Sequence, residues 1–348
     1  MNIKNAERPP SSDEWKEAYE QAIIFKEIAP WDWMFDSNLF GVQNPVNGEV
    51  GYCCVLGALG QVFGLAVYLG DEGLGGYFEG IKRHRSRKYD DILHLKKCLL
   101  LTYEKRSYLD RPDLEVIKNL GLTFNGPNAW PFFRNYKPGY YPWYLTVEEV
   151  RYLTVCLKEA NEMVLRFKAR PSLFDPPHPG SYLVRTGESL ASGRVWKDAW
   201  LKPAPLKEMI LMVKRFDSRR LQNITRGLSR AAMTWEVDFF YAPAVVGEKG
   251  RRPYFPTTLL FVDQHSYFIL NTHMSEPDQY PVTLHEKLLE TIEKARIIPQ
   301  EIHVHKKDLS VYLAPLVERL GIRVRLVKKL PAVEEAHKGM LEFFGKQK

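Results

Sequence analysis

Four carboxylates in the second half of the chain are the side chains there that could bind a divalent cation. Asp263 closes the apolar run at 259–262, Glu286 and Glu290 lie one helical turn apart in VTLHEKLLETIEKA, and Asp308 follows the alternating segment EIHVH. Carboxylates brought together in space can hold magnesium or manganese and align a phosphodiester for in-line attack. Each also has a simpler role. An aspartate at a strand end accepts hydrogen bonds from its own turn, and one ahead of a helix can cap it. Two functions of different class follow. The expected one is a non-enzymatic binding or regulatory module with no cofactor; the alternative is a nuclease or phosphoryl-transfer enzyme using Asp263, Glu286, Glu290 and Asp308 with Mg or Mn.

Other chemistry has less to stand on. His303 and His305 point to one side of their strand by its period of two, and a third metal ligand would come from His265 or His273. Nothing in the spacing specifies that third ligand, so the pair reads as ordinary strand histidines. No GxSxG nucleophile elbow occurs. The run GYCCVLGALGQVFGLAVYLGDEGLGGY holds eight glycines. A phosphate loop needs a Lys-Ser or Lys-Thr after its last glycine, and no lysine lies between Gly41 and Gly80, so the run reads as antiparallel strands around a hairpin at residues 56–60.

Binding features are clearer. Lys82, Arg83, Arg85, Arg87 and Lys88 form the densest basic cluster, and Arg251-Arg252 sit in a second basic turn. With a formal charge of +7 these point to a polyanion such as nucleic acid, or to a protein partner. The proline- and aromatic-rich stretch NGPNAWPFFRNYKPGYYPWYL offers an aromatic groove of Trp130, Tyr136, Tyr141 and Trp143, with Arg134 and Lys137 as a charged rim; otherwise it is a loop packed over the core.

Behind these residues stand the elements that must position them. Residues 12–29 are helical, with Ser12 able to cap the start and Pro30 marking the stop. Thr146 and Glu149 make a capping box ahead of a long helix to about Lys168. Prolines from Pro171 to Pro179 break that helix, and the domain boundary is expected there, giving domains 1–170 and 171–348. MTWEVDFFYAPAVV is a strand with Trp235, Val237 and Phe239 on one face and Glu236 and Asp238 on the other. After it come a hairpin, a helix, the strand EIHVH, a helix carrying Pro315, which should be kinked or delayed, and the strand IRVRLV, parallel to EIHVH. The fold class is α+β in two domains: an N-terminal mixed unit with antiparallel strands, then a mixed sheet flanked by helices. With 45% hydrophobic and 26% charged residues, disorder is excluded as a description of the whole chain. The four cysteines form no CxxC pair, which suits buried, reduced thiols. No window is apolar enough to span a membrane, and the expected location is the cytoplasm.

The order of elements in the second half resembles the ribonuclease H-like fold, with the third hairpin strand missing, since residues 273–280 contain Pro277 and read as loop. In nucleases of that fold the acids come from the first strand, the next helix and the following strand, which would be Asp263, Glu286 or Glu290, and a position where this chain has His305. The segments PWDWMFDSNLFGV, GYCCVLGALGQVFGLAVYLGDEGL, TTLLFVDQHSYFIL and EIHVHKKDL, with the pairs Trp130-Pro131 and Pro142-Trp143, also resemble a family of uncharacterised bacterial two-domain proteins. That resemblance implies an acid near the end of EIHVH, where His305-Lys306 stands, and it carries no activity or catalytic residue.

Overall fold

Helix α1 (Ser12–Ile28) begins with a reciprocal cap: the Glu14 N–H reaches Ser11 Oγ at 3.3 Å and the Ser11 N–H reaches Glu14 Oε2 at 2.6 Å. The expected cap was the next residue, Ser12. The computed structural model describes residues 8–85, 95–190, 193–204, 217–248 and 250–345, and the chain divides into two units, Met1–Pro138 with Pro142–Leu206, and Gly139–Tyr141 with Lys207–Lys348.

In the first unit α1 is followed by β1 (Phe40–Gln43), β2 (Val50–Leu56), β3 (Gly64–Leu69), α2 (Gly70–Arg85), β4 (Cys98–Glu104), α3 (Arg111–Asn119), β5 (Trp130–Tyr136), α4 (Val147–Ala169), β6 (Tyr182–Leu190) and β7 (Gly193–Leu201). The strands form one sheet in the order β5-β4-β3-β2-β1-β6-β7. Alternation along β2 divides the core. Cys53 and Val55 face α1 and α4, whereas Tyr52 and Cys54 face Leu74 and Tyr77 of α2. The β2–β3 hairpin is antiparallel as expected; Gly57 and Gly60 of its turn have positive φ, and other glycines of the run are required by close packing. A Cβ on Gly64 would lie 2.0 Å from the Leu101 carbonyl oxygen, and one on Gly76 of α2 would lie 2.1 Å from that of Leu95. All four cysteines are buried free thiols.

Two expectations change in this unit. Residues 171–180 are a joint inside the first unit and not the boundary after it, because β6 pairs in parallel with β1 and β7 completes the sheet. The long helix α4 is tied to that hairpin by Arg185, which reaches Glu159 at 2.7 Å and Asp198 at 2.9 Å. A proline run ends a helix without ending a domain. The stretch expected as a loop over the core supplies an edge strand, β5, in which Pro131 is tolerated because only one edge of the strand is paired within the sheet.

The second unit runs α5 (Ser218–Gly227), β8 (Ser229–Tyr241), β9 (Thr257–Asp263), β10 (Ile269–Ser275), α6 (Tyr280–Ala295), β11 (Ile297–Val304), α7 (Lys307–Leu320), β12 (Arg323–Leu326) and α8 (Pro331–Gly345). The sheet order is β10-β9-β8-β11-β12. β8, β9 and β10 form an antiparallel meander, and β11 runs parallel to both β8 and β12. This is the expected ribonuclease H-like arrangement, with the missing strand supplied by β8, ahead of the hairpin, and not by residues after it. β9 is buried at every position. Its Leu259 and Phe261 join the core with α6 and α7, and Leu260 and Val262 join Ala332 and Val333 of α8. Helix α7 runs through Pro315, whose lost hydrogen bond is outweighed by the buried stripe of Leu309, Leu313, Leu316, Val317 and Leu320.

Candidate functional site

Because β8 is the central strand, its acids stand where first-strand acids of this fold would be, and Asp263 at the end of β9 does not. Glu236 and Asp238 point to the α8 face, and Glu236 lies opposite His303 of β11. Each acid is already engaged. Lys306, just past the end of β11, donates from Nζ to Asp238 Oδ1 at 2.8 Å and to the carbonyl oxygen of Phe239, and lies 4.0 Å from the centre of the Phe239 ring. Glu236 is fully buried. Its Oε2 accepts the N–H groups of Ala332 and Val333, at 2.9 and 3.0 Å, at the start of α8. A carboxylate is stable there because those amides have no partner within the helix and the helix dipole favours negative charge.

A polar chain continues from Glu236 across the face. Its Oε1 accepts from Gln264 Nε2 at 3.1 Å, and the same amide nitrogen lies 3.4 Å from His303 Nδ1. His303 Nε2 is 3.3 Å from Glu301 Oε2, and Glu301 Oε1 pairs with Arg323 at 2.8 Å and Arg325 at 3.0 Å. Burial raises the Glu301 carboxyl, but the bond to His303 and the fields of Arg323 and Arg325 outweigh it and hold the group below its usual range.

The acids singled out from the sequence are dispersed. Asp263 Oδ1 accepts the Ser266 N–H at 2.8 Å and its Oγ–H at 2.7 Å, the turn role available to a strand-end aspartate. Glu286 pairs with Arg220 at 2.7 Å, and Glu290 with Lys287 at 3.0 Å. Asp308 lies in the first turn of α7, whose N-cap position is held by Lys306. His305 Nδ1 sits 3.1 Å from the Val327 carbonyl oxygen, and burial pushes the His273 imidazole below its usual value. Among the described residues no three His, Cys, Asp or Glu side chains are grouped so as to hold a metal ion.

The polyanion and aromatic candidates divide in the same way. Lys82 is exposed, 3.8 Å from Glu79, while the side chains of Arg83 and Arg85 and the whole of Arg87 and Lys88 lie outside the described residues. Arg251 pairs with Glu248 at 3.0 Å, and Arg252 donates to the Tyr141 carbonyl oxygen at 2.8 Å. With Tyr140, Tyr254, Glu248 and Glu276 they line a cavity of about 190 Å³. That volume is below the range of most ligand sites, and its two arginines meet two glutamates. Trp130 and Tyr136 stand at opposite ends of β5, Trp143 packs on Tyr144, and Tyr141 falls in the second unit. Arg134, expected on a rim, is buried, paired with Asp113 at 2.8 Å and stacked 3.9 Å from the Phe132 ring.

Sequence reading missed the roles of Glu236, Gln264, Glu301, Arg323 and Arg325. The signal for the first was present in MTWEVDFFY, a strand with acids at positions of the same parity, and for the last two in RVRL.

Fold and site together describe a two-domain α+β protein whose second unit has ribonuclease H-like strand order. Residues 15–185 match a domain of unknown function, DUF7309, and residues 218–341 match a second domain of unknown function, DUF6930. The first match extends into β6, past the proline joint. No curated protein matches the chain. Among solved structures, the catalytic core domain of BIV integrase aligns with 32% of this chain and 68% of its own, at 14% identity and a TM-score of 0.26, a likeness too slight to carry a functional argument. No helix among the described residues is long and apolar enough to cross a membrane.

Proposed function

We propose that this chain is a non-enzymatic binding module that contacts nucleic acid, with the second unit as a scaffold that has given up metal chemistry. The observation that carries the reading is Lys306 seated on Asp238. An ammonium at the ends of β8 and β11 opposes a metal ion there. For a divalent cation about 4 Å from Lys306 Nζ, the repulsion is about 8 kcal/mol at an effective dielectric of 20. The other first-strand acid, Glu236, is committed to α8. The net charge of +7 favours a polyanionic partner.

The test is to titrate the purified chain with manganese and magnesium against single-stranded, duplex and hybrid nucleic acids, with Asp238→Asn and Asp263→Ala beside the wild type. The expected result is binding without cleavage. Metal-dependent cleavage lost in either variant would overturn the reading in favour of a nuclease.

A further inference from the structure

We infer that the edge strand β12 and the turn after it form the strip that contacts the nucleic-acid phosphate backbone, an inference that rests on the binding-module reading. Arg323 and Arg325 alternate onto one face of β12, about 6.6 Å apart by strand geometry, and both side chains are 58% exposed. Lys328 and Lys329 follow, both exposed. Among the described residues the two arginines share the single carboxylate of Glu301, and neither lysine has an ion-pair partner. Glu334 and Glu335, the next acids along the chain, pair with none of the four. Four cations over seven residues therefore meet one acid, unlike Arg251 and Arg252 beside Glu248 and Glu276.

Charges on an edge strand can serve simply to prevent sheets from joining. The opposite edge decides against that explanation. β10, ILNTHMS, is the other outer strand of the same sheet and carries no Lys, Arg, Asp or Glu. A chain that leaves one edge uncharged does not need four cations to guard the other. The strip has no aromatic residue between 322 and 330 on which a base could stack, so its contacts are to phosphate and binding is independent of sequence.

The experiment uses fluorescence anisotropy of the full chain with labelled random-sequence single-stranded DNA, duplex DNA and duplex RNA, from 50 to 200 mM salt. Four phosphate contacts give a log–log salt slope of about −3.6 on duplex, an affinity loss of about 100-fold over that range. The variant R323Q/R325Q/K328Q/K329Q is expected to remove most of the slope. K328Q/K329Q, which breaks no ion pair of the fold, is expected to make it shallower by about 2. Wild-type binding with an unchanged slope in K328Q/K329Q would overturn the strip and leave the module reading standing. No wild-type binding to any of the three at 50 mM salt would overturn both.

Discussion

Replacing Glu236 by alanine tests whether this acid holds the last helix in place or waits for a metal. The side chain is fully buried and accepts the N–H groups of Ala332 and Val333 as well as the amide of Gln264. Truncation leaves two helix-start donors without their acceptor, at about 1–3 kcal/mol each, and loses a charge–dipole attraction of up to about 2 kcal/mol. Relief of the carboxylate's own desolvation offsets part of this, several kcal/mol in the opposite direction. The balance is a destabilisation of the α8 contact of about 3 kcal/mol, or about 100-fold faster opening. Hydrogen exchange followed at the amides of residues 332–334 reads that opening directly, and urea unfolding gives the accompanying loss of stability. Glu236→Gln retains an oxygen acceptor and the shape, so its loss is expected to be about 1–2 kcal/mol, mostly the charge term. Protection of α8 in Glu236→Ala within threefold of wild type would refute the assignment. So would manganese slowing exchange at α8 in the wild type and not in the variant, because a carboxylate already committed to two backbone amides gains nothing from a cation.

Two further expectations come from the same geometry. Asp263→Ala removes two part-buried bonds that Ser266 donates to a buried carboxylate; it is expected to cost about 2 kcal/mol in urea unfolding and to leave manganese titration by calorimetry identical to wild type, and a lost binding isotherm would restore Asp263 as a ligand. Burial pushes the Cys98 thiol up to about 12 and lifts Cys53 and Cys54 above the usual thiol range, and Cys156 is closed off from solvent, so at pH 8 none of the four cysteines is expected to react with iodoacetamide in the folded chain and all four in urea, and rapid alkylation of any one in the native protein would contradict its burial.

What was legible in the sequence was local. The capping box of α4, the helical character of α1, the β2–β3 hairpin and the strand character of MTWEVDFFY all follow from residue types within about ten positions. The non-local pairings were not legible. The parallel partnership of β1 with β6 joins segments about 140 residues apart, and no feature of either strand names the other; a proline-rich joint therefore looked like a boundary. β8 was recognised as a strand, but its place between β9 and β11 depends on a register that each strand satisfies equally well alone. Once that place is known, the choice of acid moves from Asp263 to Glu236 and Asp238. In β5, prolines and aromatics hid an edge strand, because Pro131 excludes only a central position.

The two acids of β8 also explain why the polar surface of the second unit is distributed as it is. A buried carboxylate persists only with a partner, and the chain supplies both partners internally: Lys306 for Asp238, and the amides that open α8 for Glu236. Gln264 and His303 then carry hydrogen bonding from Glu236 to Glu301, whose charge is met by Arg323 and Arg325. Charge is thus compensated progressively from the centre of the sheet towards its β12 edge. The compensation is complete at β8 and incomplete at the edge, where Lys328 and Lys329 stand without partners among the described residues. A metal would have to enter where charge is already balanced, whereas a polyanion meets its opposite where it is not. For this reason the outer strand, and not the strand ends that hold the acids of a nuclease, is the surface on which binding should be sought.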